Sequence, residues 1–388
     1  MKGGLGMRPL RETFALSKKL AALAALAALG FVPARADVQS LVDEGKITWT
    51  AADEDWIDGE LILTFNDPDE AGTLTLPGLT RARILAVGGG GAGGAVGTPQ
   101  NNRGAGGGGG GGGFLEIGPV MLDGGDYDIT VGAGGDAGEF ITGANIIGGD
   151  GYPSKIEKDS TLLVYVGGGG GGGAESDGNP GCAGDATASL GTAGGSGGGG
   201  SKAYNATTQV STNYLGGEGR NGGHKGGDGS VNRSGGGGGG AGGDGTVSSA
   251  VNVGATGGEG RTSYIASDDG IGYAGGGGSG TRAATSANIG KGSDGGGNGG
   301  GQKTAEDGDP GTGISRCYSC RCTGNAEACY HNIVLRIPFN GREKIIALCQ
   351  STGENHDDHC NANHHSQNPF HTAVSFLLRM NLFRTILA

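Results

Sequence analysis

Uninterrupted glycine sets the terms for any fold this chain adopts. Blocks at residues 106–113, 167–173 and 235–240, with a shorter one at 275–278, hold no side chain to bury. Glycine loses more conformational freedom on folding than any other residue. Such a run therefore orders only where backbone bonding takes over the role of burial. The blocks have anchors. Residues 81–87 form a strand-length run that ends in glycine, 114–117 leave the first block, 126–131 alternate with period two and re-enter glycine, and 161–166 run straight into the second block. A flexible linker has no need of that alternation. Side-chain-free segments can approach closely enough to bond laterally, as chains do at the axis of collagen. The expectation is a polyglycine II helix bundle in which an eight-residue block is about 25 Å long, at about 3.1 Å per residue. Strands pin the block ends and set their register. Loops rich in Asn, Ser, Thr and Asp, such as 98–103 and 202–214, project from the bundle ends. Apolar anchors thin out after residue 200.

Composition bounds the rest. Gly and Pro together, 94 and 11 of 388 residues, make up a share typical of low-complexity chains. The apolar share is 35%, below the roughly 45–50% of ordinary globular proteins. A large conventional core and an α/β enzyme are both disfavoured. The net charge of -12 argues against nucleic acid, because phosphate binding needs clustered Lys and Arg.

The chain divides into four zones. Residues 1–36 carry Lys2, Arg8, Arg11, Lys18 and Lys19, then an uncharged apolar run at 20–32, then Ala34-Arg35-Ala36. That is the three-part pattern of a signal peptide. It implies export by the general secretory route with cleavage before Asp37, and Met7 is an alternative start. The run is too short for a transmembrane segment, which needs about 20 residues. Residues 37–87 are an N-terminal β-rich segment, with strand patterns at 60–65, 72–77 and 81–87, the first bounded by Asp58-Gly59 and Asn66-Asp67-Pro68. Trp49 and Trp56 fit as ballast at one end of a small sandwich. Residues 88–313 are the glycine-rich domain, packing with 60–87 and carrying 33 acidic and 14 basic residues when counted with 37–87. Residues 314–388 form a Cys/His-rich tail with six of the seven Cys and six of the seven His.

No catalytic constellation is spaced for chemistry. GxGxxG strings are inevitable among this many glycines, and no βαβ pattern supports a dinucleotide site. Gly292 stands where a P-loop needs Ser or Thr. The acidic loop at 267–269 reads as solvated charge rather than a calcium site. Cys182 is alone in the glycine zone. In the tail, Cys317, Cys320, Cys322, Cys329, Cys349, His356, His359 and Cys360 match zinc-like spacing, yet export favours disulfides or unpaired thiols. Six cysteines allow 15 pairings. The abrupt change at 314 also fits a segment read out of frame. No metal or cofactor is assigned. Residues 373–387 pattern as a short amphipathic docking helix.

The ordered series Arg83-Ile-Leu-Ala-Val-Gly-Gly-Gly-Gly-Ala-Gly-Gly, the block at 106–113 with Phe114-Leu-Glu-Ile, then Asp126-Tyr-Asp-Ile-Thr-Val-Gly-Ala-Gly-Gly, Gly148-Gly-Asp-Gly-Tyr-Pro-Ser-Lys-Ile and Leu163-Val-Tyr-Val before 167–173 resembles the glycine-rich domains of phage tail-fibre adhesins and bacterial surface proteins. It is more loosely similar to the glycine-rich extracellular region of the anaplastic lymphoma kinase receptor family. The resemblance covers about residues 60–313. It implies a mainly β fold, a small β-sandwich-like scaffold joined to a polyglycine II bundle, with adhesion or recognition as its role. It also implies a final apolar strand after a Gly-Asp-Gly-type turn. Asp307-Gly308-Asp309 supplies the turn, but Ile314-Ser315-Arg316-Cys317 is no clean strand, and the tail is expected to be irregular. The resulting expectation is a secreted or surface-exposed, non-enzymatic protein that binds a cell-surface or extracellular protein or glycan. The alternative is a self-associating structural matrix or envelope component.

Overall fold

The computed structural model describes residues 38–94, 104–136, 147–174, 177–182, 184, 188–205, 210–231, 233–281, 288–299 and 332–338. The chain divides into two units, Met1–Arg342 and Glu343–Ala388, and every described residue lies in the first. The signal-peptide residues 1–36, the 98–103 loop, the turn at 307–313, the tail's Cys and His residues and the 373–387 segment lie outside the described residues.

The described protein is mainly β, with multiple sheets and almost no helix. A six-residue helix, Val38–Asp43, precedes β1 (Thr48–Thr50), β2 (Asp53–Ile57), β3 (Glu60–Phe65), β4 (Gly72–Leu76) and β5 (Thr80–Val87). After the first glycine block come β6 (Phe114–Leu122), β7 (Gly125–Thr130), β8 (Ser154–Lys158), β9 (Thr161–Val166) and β10 (Gly191–Ala193). Two small hairpins follow, β11 (Lys202–Asn205) with β12 (Val210–Asn213) and β13 (Arg261–Ser263) with β14 (Ile271–Tyr273), and β15 (Ile333–Ile337) comes last. One sheet has the order β1-β4-β7-β8-β9-β10 and the other β2-β3-β15-β5-β6. The Asp58-Gly59 pair makes the two-residue turn between β2 and β3 with φ of +53° and +79°. That double left-handed geometry matches the twist of a hairpin.

Period-two alternation sends each strand's side chains to opposite faces, and in the inner strands β3, β15 and β5 of the second sheet both faces are largely buried. Leu61, Leu63 and Phe65 of β3, Ala82, Ile84 and Ala86 of β5, and Ile333, Leu335 and Ile337 of β15 face Leu74, Tyr127, Ile129, Ile156 and Val164 of the other sheet. This is the sandwich core, and Trp49 and Trp56 pack at its margin. The opposite residues Ile62, Leu85, Val87 and Val334 meet Ala241, Ile265, Tyr273 and Ala274 from the glycine-rich zone. The glycine-rich zone thus supplies a third layer. Burying each large aliphatic side chain stabilises by about 1.5–3 kcal/mol.

β15 corrects the expectation of an irregular tail at residues 333–337. It falls within the zone set off at 314, and it is the central strand of its sheet. It pairs antiparallel with β3, Leu335 opposite Leu63, and with β5, Leu335 opposite Ile84. All five residues are buried. Arg336, 7% exposed, is tolerated there because its guanidinium pairs with the Glu60 carboxylate, reaches Asp268 at 3.4 Å and donates to the Tyr264 carbonyl at 3.3 Å. Asp268, read from sequence as solvated charge, is exposed and also serves as an ion-pair partner. The implied closing strand therefore exists, about twenty residues beyond the point where the sequence pattern placed its absence.

The glycine segments bond sideways. Gly88, Gly91 and Gly94 donate to Gly113, Gly110 and Gly107 at 3.0, 2.8 and 2.9 Å. Gly107, Gly110 and Gly113 donate to Gly173, Gly170 and Gly167 at 2.9, 2.8 and 2.8 Å. Gly167, Gly170 and Gly173 donate onward to Ala193, Ser196 and Gly199 at 2.9, 2.8 and 2.9 Å. Each row advances by three residues. The other residues of the 106–113 block serve further neighbours: Gly108 and Gly111 donate to Gly236 and Gly239, and Gly106 and Gly109 accept from Gly280 and Gly277. The block is buried along its whole length. Side chains are excluded: a Cβ at Gly107 would overlap the Gly199 carbonyl, and one at Gly109 the Gly91 carbonyl. The lattice extends past residue 200, where apolar anchors are few, because segments at 226–229, 235–240, 254–260 and 290–299 join the same network.

Candidate recognition surface

The bonded rows give the lattice two ends. Residues 88, 113 and 167 adjoin the sandwich strands, so 94, 107 and 173 mark the opposite end. From Gly173 the bonds lead to Gly199, from Gly200 to Gly227, and from Gly235 to Gly280. Ser201, Lys202, Ser230, Ser234 and Thr281 lie within three residues of those positions and close this far end with a layer of buried polar groups. Lys202 exchanges both backbone bonds with Ala105 at 2.9 and 2.8 Å and donates Nζ to Asn213 Oδ1 at 2.7 Å. Burial lowers its pKa.

Above this floor stand two loops with a fixed backbone and exposed aliphatic side chains. Short hydroxyl side chains favour bonding to nearby backbone in turns, and they do so here. Thr246 Oγ1 accepts from Thr256 N at 2.8 Å. Ser248 Oγ donates to the Val253 carbonyl at 2.5 Å. Ser230 Oγ donates to the Ser248 carbonyl at 3.0 Å, joining the two loops. The valines turn outward: Val231 is 74% exposed, Val251 60%, Val247 50% and Val253 36%. Val210, the first residue of β12, and Leu215, just beyond that strand, are exposed as well. A contiguous exposed apolar patch rimmed by polar residues is a candidate interaction site.

The expected projecting segment at 202–214 is a hairpin, with Lys202 held in the buried layer. The apolar tip was not anticipated from sequence; its signal is the spacing of valines among Thr, Ser, Ala and Asn in 246–253. Among the described residues, no three His, Cys, Asp or Glu gather to hold a metal. His224 Nδ1 lies 3.2 Å from Asp244 Oδ1 on the lattice flank. Cys182 is a free, half-buried thiol, and burial, then the Asp150 charge, pushes its pKa up, which suppresses thiolate chemistry. The gap between the sheets, lined by Leu74, Ile84, Tyr127, Ile129 and Leu335 among others, leaves no room for a water-sized molecule. No helix of the described residues is long and apolar enough to cross a membrane.

A family model described as a glycine-rich domain matches residues 68–318. No curated protein and no solved structure significantly matches the chain.

Proposed function

The chain belongs to the glycine-rich domain family, and from that premise we propose that it is a non-enzymatic recognition protein, secreted or displayed at the cell surface, that binds an extracellular protein or glycan through the loops at the far end of its lattice. The glycine segments serve as a polyglycine II-type array. The three-residue recurrence of their lateral donors, the repeat of an extended threefold helix, supports that reading. Such an array presents few side chains along its length, which leaves binding to its ends.

The observation that carries the proposal is the outward display of Val231, Val247, Val251 and Val253 on loops fixed by their own hydroxyls. Preorganised loops lose little entropy on binding. Export rests on the leader pattern of residues 1–36. The test is solid-phase binding of the purified full chain to panels of immobilised extracellular proteins and cell-surface glycans. Wild type is expected to bind at least one of them saturably. Val231→Asp/Val251→Asp is expected to weaken that binding by roughly ten-fold or more, about 1.4 kcal/mol, without loss of folded signal. Absence of saturable binding, or binding indifferent to the double substitution, refutes the proposal.

A further inference from the structure

The lattice has sides as well as ends, and at five positions its sides are finished in the same way. Within the lattice, a backbone N–H meets the carbonyl of a neighbouring segment, as Gly217 meets Gly198 at 2.7 Å, Gly226 meets Gly217 at 2.9 Å and Gly227 meets Gly237 at 2.7 Å. At the periphery the acceptor changes to a carboxylate. Gly171 N donates to Asp150 Oδ1 at 2.8 Å. Leu215 N donates to Asp177 Oδ1 at 2.7 Å, and Gly216 N to Asp228 Oδ1 at 2.9 Å. Lys225 N donates to Asp244 Oδ1 at 3.1 Å, and Gly260 N to Asp294 Oδ2 at 2.6 Å. None of these pairs is local: Asp177 lies 38 residues from Leu215 and Asp294 lies 34 from Gly260.

We propose that these five aspartates terminate the lattice sideways, and that the N–H groups they occupy are otherwise docking positions for a glycine segment of a second copy of this chain. Two observations converge on that occupant. A carbonyl of an extended glycine segment fills equivalent positions inside the molecule, as Gly217 donates to Gly198 and Gly226 to Gly217. The sequence supplies such segments in quantity. An open row of backbone donors is a template for intermolecular pairing, and charge along such a row blocks it. A carboxylate does both things here, because it accepts the bond a neighbour would make and repels the same carboxylate on an approaching copy. The acidic excess of residues 37–313 then has a use besides solubility. The inference is independent of the loops that carry Val231, Val247, Val251 and Val253, because none of the five N–H groups lies in them.

The experiment compares the full chain with Asp177→Ala/Asp228→Ala/Asp244→Ala/Asp294→Ala in reducing buffer by sedimentation velocity across a wide concentration range. Hydrogen exchange of the 106–113 and 167–173 peptides confirms that the lattice is formed. The expected result is a wild type of constant mass and a variant whose weight-average mass rises by roughly two-fold or more with concentration, as isologous pairing begins. The matching Asp→Asn set keeps an acceptor oxygen at each position and is expected to associate less than the alanine set. If the fourfold variant fails to protect its glycine amides, the pair Asp228→Ala and Asp294→Ala is measured singly by the same criterion. A protected alanine variant with wild-type mass at every concentration overturns the proposal. So does a wild type that polymerises through its glycine segments. Equal association of the Asn and Ala sets overturns the capping role and leaves charge repulsion alone.

Discussion

Replacing Gly110 with alanine sets a single methyl group against the whole lattice. Its Cβ would overlap the Ser196 carbonyl oxygen and lie 2.8 Å from the Gly197 carbonyl carbon and oxygen. All of these are backbone atoms of a segment held on other sides. The Ser196 carbonyl already accepts from Gly170 at 2.8 Å, and Gly110 itself donates to Gly170 at 2.8 Å and accepts from Gly91 at 2.8 Å. Moving the 196–197 segment away stretches the first bond, and moving the 106–113 block stretches the other two. Leaving one buried backbone group unpaired costs about 1–3 kcal/mol, and forcing extra volume into a packed site about 1–3 kcal/mol. Against this, alanine restricts the unfolded chain and returns about 0.4–1 kcal/mol. The expected net effect is a destabilisation of about 3 kcal/mol, a large part of the roughly 5–15 kcal/mol that holds a domain folded. Gly243 is the control, since its nearest neighbours are Glu259 N at 3.6 Å and Glu259 Cβ at 4.0 Å. Gly243→Ala is expected to be neutral or slightly stabilising. Urea titration followed by near-ultraviolet circular dichroism of Trp49 and Trp56 measures both, with equal m-values required for the comparison. Hydrogen exchange across 106–113 reports the lattice directly. Two variants of equal stability, with equal protection of the glycine amides, refute a lattice built on close backbone approach.

Two further outcomes are expected. Leu335→Ala, at a side chain 1% exposed between the sheets, should lower unfolding free energy by about 2–5 kcal/mol, whereas Leu215→Ala at an exposed site should change it by less than about 0.5 kcal/mol; equal small effects in denaturant titration would remove β15 from the core. Burial pushes the Tyr127 and Tyr273 phenols up to about 12, and Tyr127 also donates to the Asp123 carbonyl at 2.6 Å. A raised folded pKa means that the stability they contribute is complete below the unfolded value near 10 and drains away as pH climbs through 10 to about 12. Alkaline unfolding followed by tyrosinate absorbance should show this late step, and Tyr127→Phe should diminish it.

What could be read from sequence follows from what each element needs. β3, β4, β5, β7 and β9 were legible because turn residues bound them and their side chains serve a sheet face. β15 was not. Ile333-Val334-Leu335-Arg336-Ile337 is buried on both faces, so alternation vanishes. Its pairing partners lie some 250 residues upstream, and its surroundings are rich in Cys and His. β8 and β10 were missed for brevity and for the glycine around them. The lateral bonding between glycine blocks could be argued from the absence of side chains, but the register of each row depends on strands at both ends. The exposed valines carry no periodicity, and the capping aspartates sit 12 to 38 residues from the N–H groups they serve, so no local sequence pattern marks them.

The placement of β15 also dictates an order of events. Leu335 waits opposite Leu63, and the sheet cannot be completed until that far segment arrives. The chain that must be looped to bring them together spans most of the molecule. Closure entropy grows only slowly with such a loop, but the search is long, and topologies dominated by distant pairings fold slowly. Until then β3 and β5 stand apart across a gap one strand wide, about 9–10 Å. A ribosome that stops short of Ile337 therefore releases a polypeptide with its middle rung missing, and the vacancy offers two bare edges to whatever extended peptide comes by.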